Sequence, residues 1–103
     1  MPRQFDVVAN PDPVDAEHRP YFGVLQSDLV SLTSTVVAPL VVREQMKGAQ
    51  RLNPIMTIDG HDYWLATHEL FAVDQRILRG KVGSLSEHRE TIIASLDFVF
   101  TGY

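Results

Sequence analysis

The stretch Ile55-Met56-Thr57-Ile58-Asp59-Gly60-His61-Asp62-Tyr63-Trp64-Leu65-Ala66 carries the clearest local signal in the chain. Two apolar runs flank Asp59-Gly60, and a type I′ turn demands positive φ at both of its central residues. Asp-Gly meets that demand with little strain, so the stretch predicts a β-hairpin. Upstream, Arg43 to Asn53 is polar and contains a glycine, which predicts a loop or a single helical turn. Thr35 to Val42 is rich in β-branched residues and reads as a buried strand, with Pro39 marking a bulge or an edge. Tyr21 to Gln26 predicts another strand, joined to it by a connection through Ser27-Asp28 and Leu32. Phe5 to Ala9 is the first strand. Asn10-Pro11-Asp12-Pro13-Val14-Asp15 ends it, because proline supplies no amide donor and restricts the residue before it. That loop runs to Pro20.

Downstream of the hairpin, Leu70 to Leu78 predicts a further strand leading to Gly80-Lys81-Val82-Gly83. From Ser84 the period changes. Ser84-x-x-Glu87 fits a capping box, and Leu85, Ile92, Ile93, Leu96, Val99, Phe100 and Tyr103 then recur at helical spacing. The expectation is a helix from Ser86 to Thr101, roughly 24 Å long at 1.5 Å per residue. Its apolar residues occupy more than one stripe, and one sheet covers only one side. Ile92, Leu96 and Val99 are therefore expected to meet the same helix of a second copy, giving a homodimer.

The chain has 103 residues, 45% apolar and 21% charged, with a formal charge of −4. One globular domain over 1–103 is the expectation. Ordinary apolar content argues against disorder. The longest apolar run, Val36 to Val42, falls far short of the ~20 residues of a membrane span. Met1-Pro2-Arg3-Gln4-Phe5-Asp6 meets a charge before any signal-peptide core, which makes the cytoplasm the expected compartment. The two halves, 1–50 and 51–103, carry 4 and 5 basic residues against 6 and 7 acidic ones. Neither is a basic module, so no direct nucleic-acid binding is expected. Zero cysteines remove disulfides, thiolate nucleophiles and Cys-based zinc sites together.

Little in the sequence supports catalysis. His61-Asp62 and His68-Glu69 are donors of a type that binds divalent metals, but without tight ligand spacing they read as solvated turn residues, and no metal or cofactor is expected. Ser86, His88 and Glu90 lie too close along one helix to form a nucleophile, base and orienter. Arg76, Arg79 and Lys81 form a basic cluster suited to a phosphate or, more simply, to a solvated sheet edge. Trp64, alone and mid-strand, reads as core.

Three ordered stretches resemble a known family. Phe22-Gly23-Val24-Leu25-Gln26-Ser27-Asp28-Leu29-Val30, then Val37-Ala38-Pro39-Leu40, then Leu52-Asn53-Pro54-Ile55 through Trp64 to the helix and its Phe100-x-Gly102-Tyr103 ending are similar to the CcdB toxins of bacterial type II toxin–antitoxin systems. The resemblance implies a mainly β, SH3-like barrel with an additional small antiparallel sheet and a C-terminal α-helix. It implies a homodimer that enters the open interface of the DNA gyrase A subunit and traps the enzyme on cleaved DNA, making and breaking no bond itself. The implied gyrase-contacting residues are Leu29, Val30, Asp97, Phe100, Thr101, Gly102 and Tyr103. Thr101 stands where the family carries a tryptophan anchor, Tyr103 replaces a terminal aliphatic residue, and Asp97 replaces an asparagine. The implied antitoxin surface is the loop beginning Asn10, Pro11, Asp12, Pro13, Val14 and Asp15, which would order a disordered C-terminal antitoxin segment. This loop is about three residues longer than the family's. The competing reading from the same barrel is an endoribonuclease, with Asp74 near Arg76 and Arg79 as its only base and phosphate-stabilising group. A relative that has lost gyrase poisoning is the third.

Overall fold

The computed structural model describes residues 2–30, 32–49 and 51–102. Among these residues seven strands follow in chain order: β1 (Asp6–Ala9), β2 (Tyr21–Val24), β3 (Ser34–Val42), β4 (Ile55–Ile58), β5 (His61–Leu65), β6 (Phe71–Asp74) and β7 (Lys81–Ser84). One α-helix, α1 (Arg89–Thr101), follows. All pairings are antiparallel, in the order β4-β5-β3-β2-β1-β7, with β6 also on β3. The sheet curls into a half-barrel against α1, the mainly β architecture with a C-terminal helix that the resemblance implied. The added small sheet is continuous with it through β3.

β3 organises the molecule because it has more partners than two edges ordinarily allow. On one side it pairs with β2, from Val24↔Val37 to Tyr21↔Leu40. On the other, its first half takes β6, from Ser34↔Asp74 to Val37↔Phe71, and its second half takes β5, from Leu40↔Leu65 to Val42↔Tyr63. Pro39 falls at the changeover. Its carbonyl accepts the Ala66 amide at 2.9 Å, and its missing N–H lies where neither β5 nor β6 would accept it. Pro39 is thus neither a bulge nor an edge residue; it sits buried mid-strand because the ladder has a gap there.

Strand alternation sends side chains to two faces. Val7, Leu25, Ala38, Leu40, Met56, Ile58 and Leu65 pack with Leu85 and Ile92 beneath α1. Val8, Phe22, Val24 and Val37 pack on the other face with Leu78. The expected hairpin is present, with Asp59 at φ 50° and Gly60 at φ 77°.

Two further expectations are corrected. The strand expected over Leu70 to Leu78 ends at Asp74, because the Asp74 carboxylate accepts the Arg76 amide at 2.9 Å and starts a tight turn over Gln75–Ile77. The capping box does not form either. Ser84 Oγ accepts the Ser86 amide at 3.2 Å, Ser86–His88 makes a 3₁₀ turn, and α1 starts only at Arg89 without a side-chain cap. Glu87 consequently precedes the helix instead of occupying its third position.

Candidate functional site

The β2–β3 connection projects from the half-barrel. Leu29 at its tip is 94% exposed, and Val30 and Leu32 are about half exposed. Its backbone is nevertheless tied down. Ser27 Oγ accepts the Leu29 amide at 3.1 Å, Ser27 O accepts the Val30 amide at 3.0 Å, and Asp28 Oδ1 accepts the Gln4 amide at 2.8 Å. The Gln26 side-chain Nε2 donates to the carbonyls of Val30 and Ser34, and the Gln75 side-chain Nε2 donates to that of Leu32. The result is an apolar prong whose backbone from Ser27 to Val30 is tied to its own turn, to Gln4 and to the start of β3.

The second group lies at the end of α1. Ile92 and Ser95 are fully buried, and Ser95 Oγ donates to the Ile92 carbonyl at 2.8 Å while pairing with Thr67 Oγ1 at 3.1 Å. That pair moors the helix on the turn between β5 and β6. Phe98, half-buried, lies under the Arg51 guanidinium at 4.6 Å. Phe100 projects outward, 69% exposed, with Asp97, Thr101 and Gly102 also exposed. The helix stops because Gly102 takes φ 81°, a left-handed conformation that costs glycine little, and its amide returns to the Phe98 carbonyl at 3.1 Å. Thr101 Oγ1 donates to the Asp97 carbonyl at 2.6 Å, so its hydroxyl is turned back on the helix. Tyr103 lies outside the described residues. Among the described residues no hydrogen bond or ion pair joins the prong to the helix end.

The expected dimer stripe is revised by burial. Ile92 is spent on the protein's own core, 0% exposed, and Leu96 packs half-buried against that core. Ile92, Ser95, Leu96 and Val99 follow the i, i+3, i+4, i+7 pattern of one inward face, of which the protein's own fold covers Ile92 and Ser95 fully and Leu96 and Val99 only in part. The apolar surplus on α1 is instead Ile93 and Phe100, with the half-buried Leu96 and Val99 beside them.

Of the groups weighed for ribonuclease chemistry, Asp74 and Arg76 are engaged with each other. Asp74 is held by Arg76 through bonds as short as 2.7 Å; Arg76's hydrogen bonds lower the Asp74 pKa to about 2, far too low for a general base near neutrality. Lys81 is paired with Asp6 at 3.2 Å, which leaves Arg79 without a carboxylate partner among the described residues. No three His, Asp or Glu residues among those described are placed to hold a metal ion, and no helix is long and apolar enough to cross a membrane. His61 opens β5 beside the hairpin turn and is exposed. His68 Nδ1 is 2.9 Å from Asn53 Nδ2, in a structural contact. Trp64 is core, packed on Val41 and Ala66.

Comparison with protein-family models decides the identity: the model described as CcdB protein matches residues 4–102. The chain belongs to the CcdB family. A comparison with curated proteins gave no match. Membership makes the chain a toxin of the toxin–antitoxin type, with the family's curled antiparallel sheet and C-terminal helix.

Within this CcdB fold, the Asn10 to Asp15 loop is ordered by its own side chains. Asn10 Nδ2 donates to Asp15 Oδ2 at 2.9 Å and to the Arg19 carbonyl at 2.8 Å, and Asn10 Oδ1 accepts the Asp12 amide at 2.9 Å. Asp12 Oδ1 accepts the Val14 amide at 3.0 Å. Arg19 then bridges Asp15 at 3.1 Å and Glu69 at 3.2 Å, tying the loop to the turn that moors α1. Sequence reading missed this bridge, since Arg19 and Glu69 lie fifty residues apart and nothing local signals the pair. Pro11, Pro13 and Val14 remain on the surface, with Val14 77% exposed.

Proposed function

We propose that this CcdB-family protein is a toxin that binds the DNA gyrase A subunit and traps gyrase on cleaved DNA, released from this role by a cognate antitoxin. It acts without bond chemistry and without cofactor, metal or direct nucleic-acid contact, in the cytoplasm, as a homodimer. The observation that carries the reading is Phe100, a large aromatic standing 69% exposed near the end of α1 within a chain of this family. Aromatic side chains that stand free on a rigid element are the usual anchors of protein interfaces. Phe100, Asp97, Thr101, Gly102 and Tyr103 form the helix-end part of the contact, and Leu29 and Val30 the prong. Thr101 leaves the anchor role to Phe100.

The dimer is assigned to α1, with Leu96 and Val99 joined by Ile93 and with Ile92 supporting them from inside. The Asn10 to Asp15 loop receives the antitoxin's disordered C-terminal segment, and its prolines and Val14 offer a preformed apolar surface for that segment to order on. The test is induction in a bacterial host carrying either ordinary gyrase or a gyrase resistant to this family. Growth arrest with DNA-damage signalling in the first host and normal growth in the second is the expected result. Arrest in both hosts, with intact DNA and degraded mRNA, overturns it in favour of ribonuclease action.

A further inference from the structure

Backbone order at the prong is not explained by burial. Fixing a loop costs conformational entropy that folded proteins ordinarily recover by removing apolar surface from water, and Leu29 removes almost none. The cost is offset here by side chains donating to, or accepting from, the loop backbone. Of these, Gln26 is placed differently from the rest. Ser27 acts only within the turn, Asp28 ties the loop to the Gln4 amide and, through an exposed and weak ion pair at 3.6 Å, to Arg3, and Gln75 reaches only Leu32, beyond the tip. Gln26 leaves the end of β2, and its single amide nitrogen reaches both the Val30 carbonyl at 3.1 Å and the Ser34 carbonyl at 3.2 Å, where β3 begins. Both acceptors are carbonyl oxygens, so the nitrogen and not the oxygen of the amide must face them, and both its hydrogens are used.

We infer that Gln26 is a positioning residue for the contact surface: by clasping Val30 to the start of β3, it holds Leu29 and Val30 in the projecting pose that a partner meets. That a partner binds Leu29 and Val30 rests on the function proposed above; that Gln26 holds them does not. A prong fixed before binding spares the complex the entropy of ordering it, so Gln26 contributes to affinity without touching the partner.

Two variants test this. Gln26→Glu keeps the shape but sets a carboxylate against two carbonyl oxygens, and Gln26→Met keeps the length and removes the donors without adding charge. In both, the Leu29 and Val30 amides are expected to exchange with solvent about tenfold faster, as loss of the two long hydrogen bonds from one nitrogen implies. The β2–β3 ladder amides and the thermal midpoint should change little. Binding to the gyrase A subunit should weaken by a similar factor when Leu29 and Val30 are intact and should weaken no further when both are already alanine, because Gln26 acts through those two side chains. Unchanged exchange at Leu29 and Val30 in both variants overturns the inference, as do binding losses that add in full to that of the Leu29→Ala, Val30→Ala double variant. If the unmutated protein does not bind the gyrase A subunit, the proposed function fails, and the exchange measurement still decides the role of Gln26.

Discussion

Ile92 and Phe100 lie two turns apart on one helix and separate folding from contact. Ile92 is fully enclosed by the core under α1, so Ile92→Ala removes buried methylenes and leaves a cavity, at about 2–5 kcal/mol. Phe100 keeps 69% of its surface in water. Only about a third of the 1.5–3 kcal/mol gained by fully burying such a side chain is at stake, or roughly 0.5–1 kcal/mol. Alanine's better helix propensity returns up to about 0.5 kcal/mol of that. Urea unfolding at one fixed protein concentration should therefore place Ile92→Ala at least about 2 kcal/mol below the unmutated protein and Phe100→Ala within about 0.5 kcal/mol of it. Toxicity should run in reverse for the folded proteins. An interface anchor of this kind is worth about 2 kcal/mol or more, so Phe100→Ala should lose binding to the gyrase A subunit by about 30-fold. A Phe100→Ala protein that is as destabilised as Ile92→Ala would refute the reasoning, because Phe100 would then be core. So would one that keeps full affinity.

Replacing Leu96 with Glu should shift the protein from dimer to monomer in sedimentation at micromolar concentration, since the helix pair would carry a charge among Ile93, Val99 and their copies; an unmutated protein that sediments as a monomer contradicts the assignment. Asp74, whose pKa Arg76 lowers to about 2, gives stability that is present above the ordinary carboxylate range and is lost as pH falls toward 2. Asp74→Asn should flatten the pH dependence of unfolding in that window, weakly and less so at high salt, because the pair is exposed. Breaking the bridge with Arg19→Gln should cost at most about 1 kcal/mol, since both carboxylate pairs are partly exposed. It should also raise hydrogen exchange across residues 10–19 while leaving the β3 amides protected.

Local chemistry was the legible part of the sequence. Asp59-Gly60 announces its turn because only a few residues accept positive φ, and the structure has both residues there. Gly102 stops α1 for the same reason. What needed the structure was non-local. No pattern in β3 reveals that its outer edge changes partner at Pro39, because the cause lies in β5 and β6. The Leu70 to Leu78 stretch looks apolar enough for one strand, and a single carboxylate at Asp74 turns it aside. At the candidate site, the apolar content of α1 was visible but the rotation of the helix was not. Ser95 faces inward because Thr67, in a turn far away in sequence, supplies its partner, and this puts Ile92 inside and Ile93 outside. The exposed position of Phe100 follows from that rotation. Leu29 was recognisable by resemblance alone, since an apolar residue in a loop carries no local sign that it stands free.

The most direct test of the central claim uses purified protein, purified gyrase and closed-circular DNA with ATP, followed by denaturation to reveal trapped cleavage complexes. The account predicts that the unmutated protein causes linear DNA to accumulate with increasing dose, that Phe100→Ala does so only at about 30-fold higher concentration, and that gyrase resistant to this family gives none. Linear DNA at background level with an unmutated protein that is folded and dimeric would contradict it.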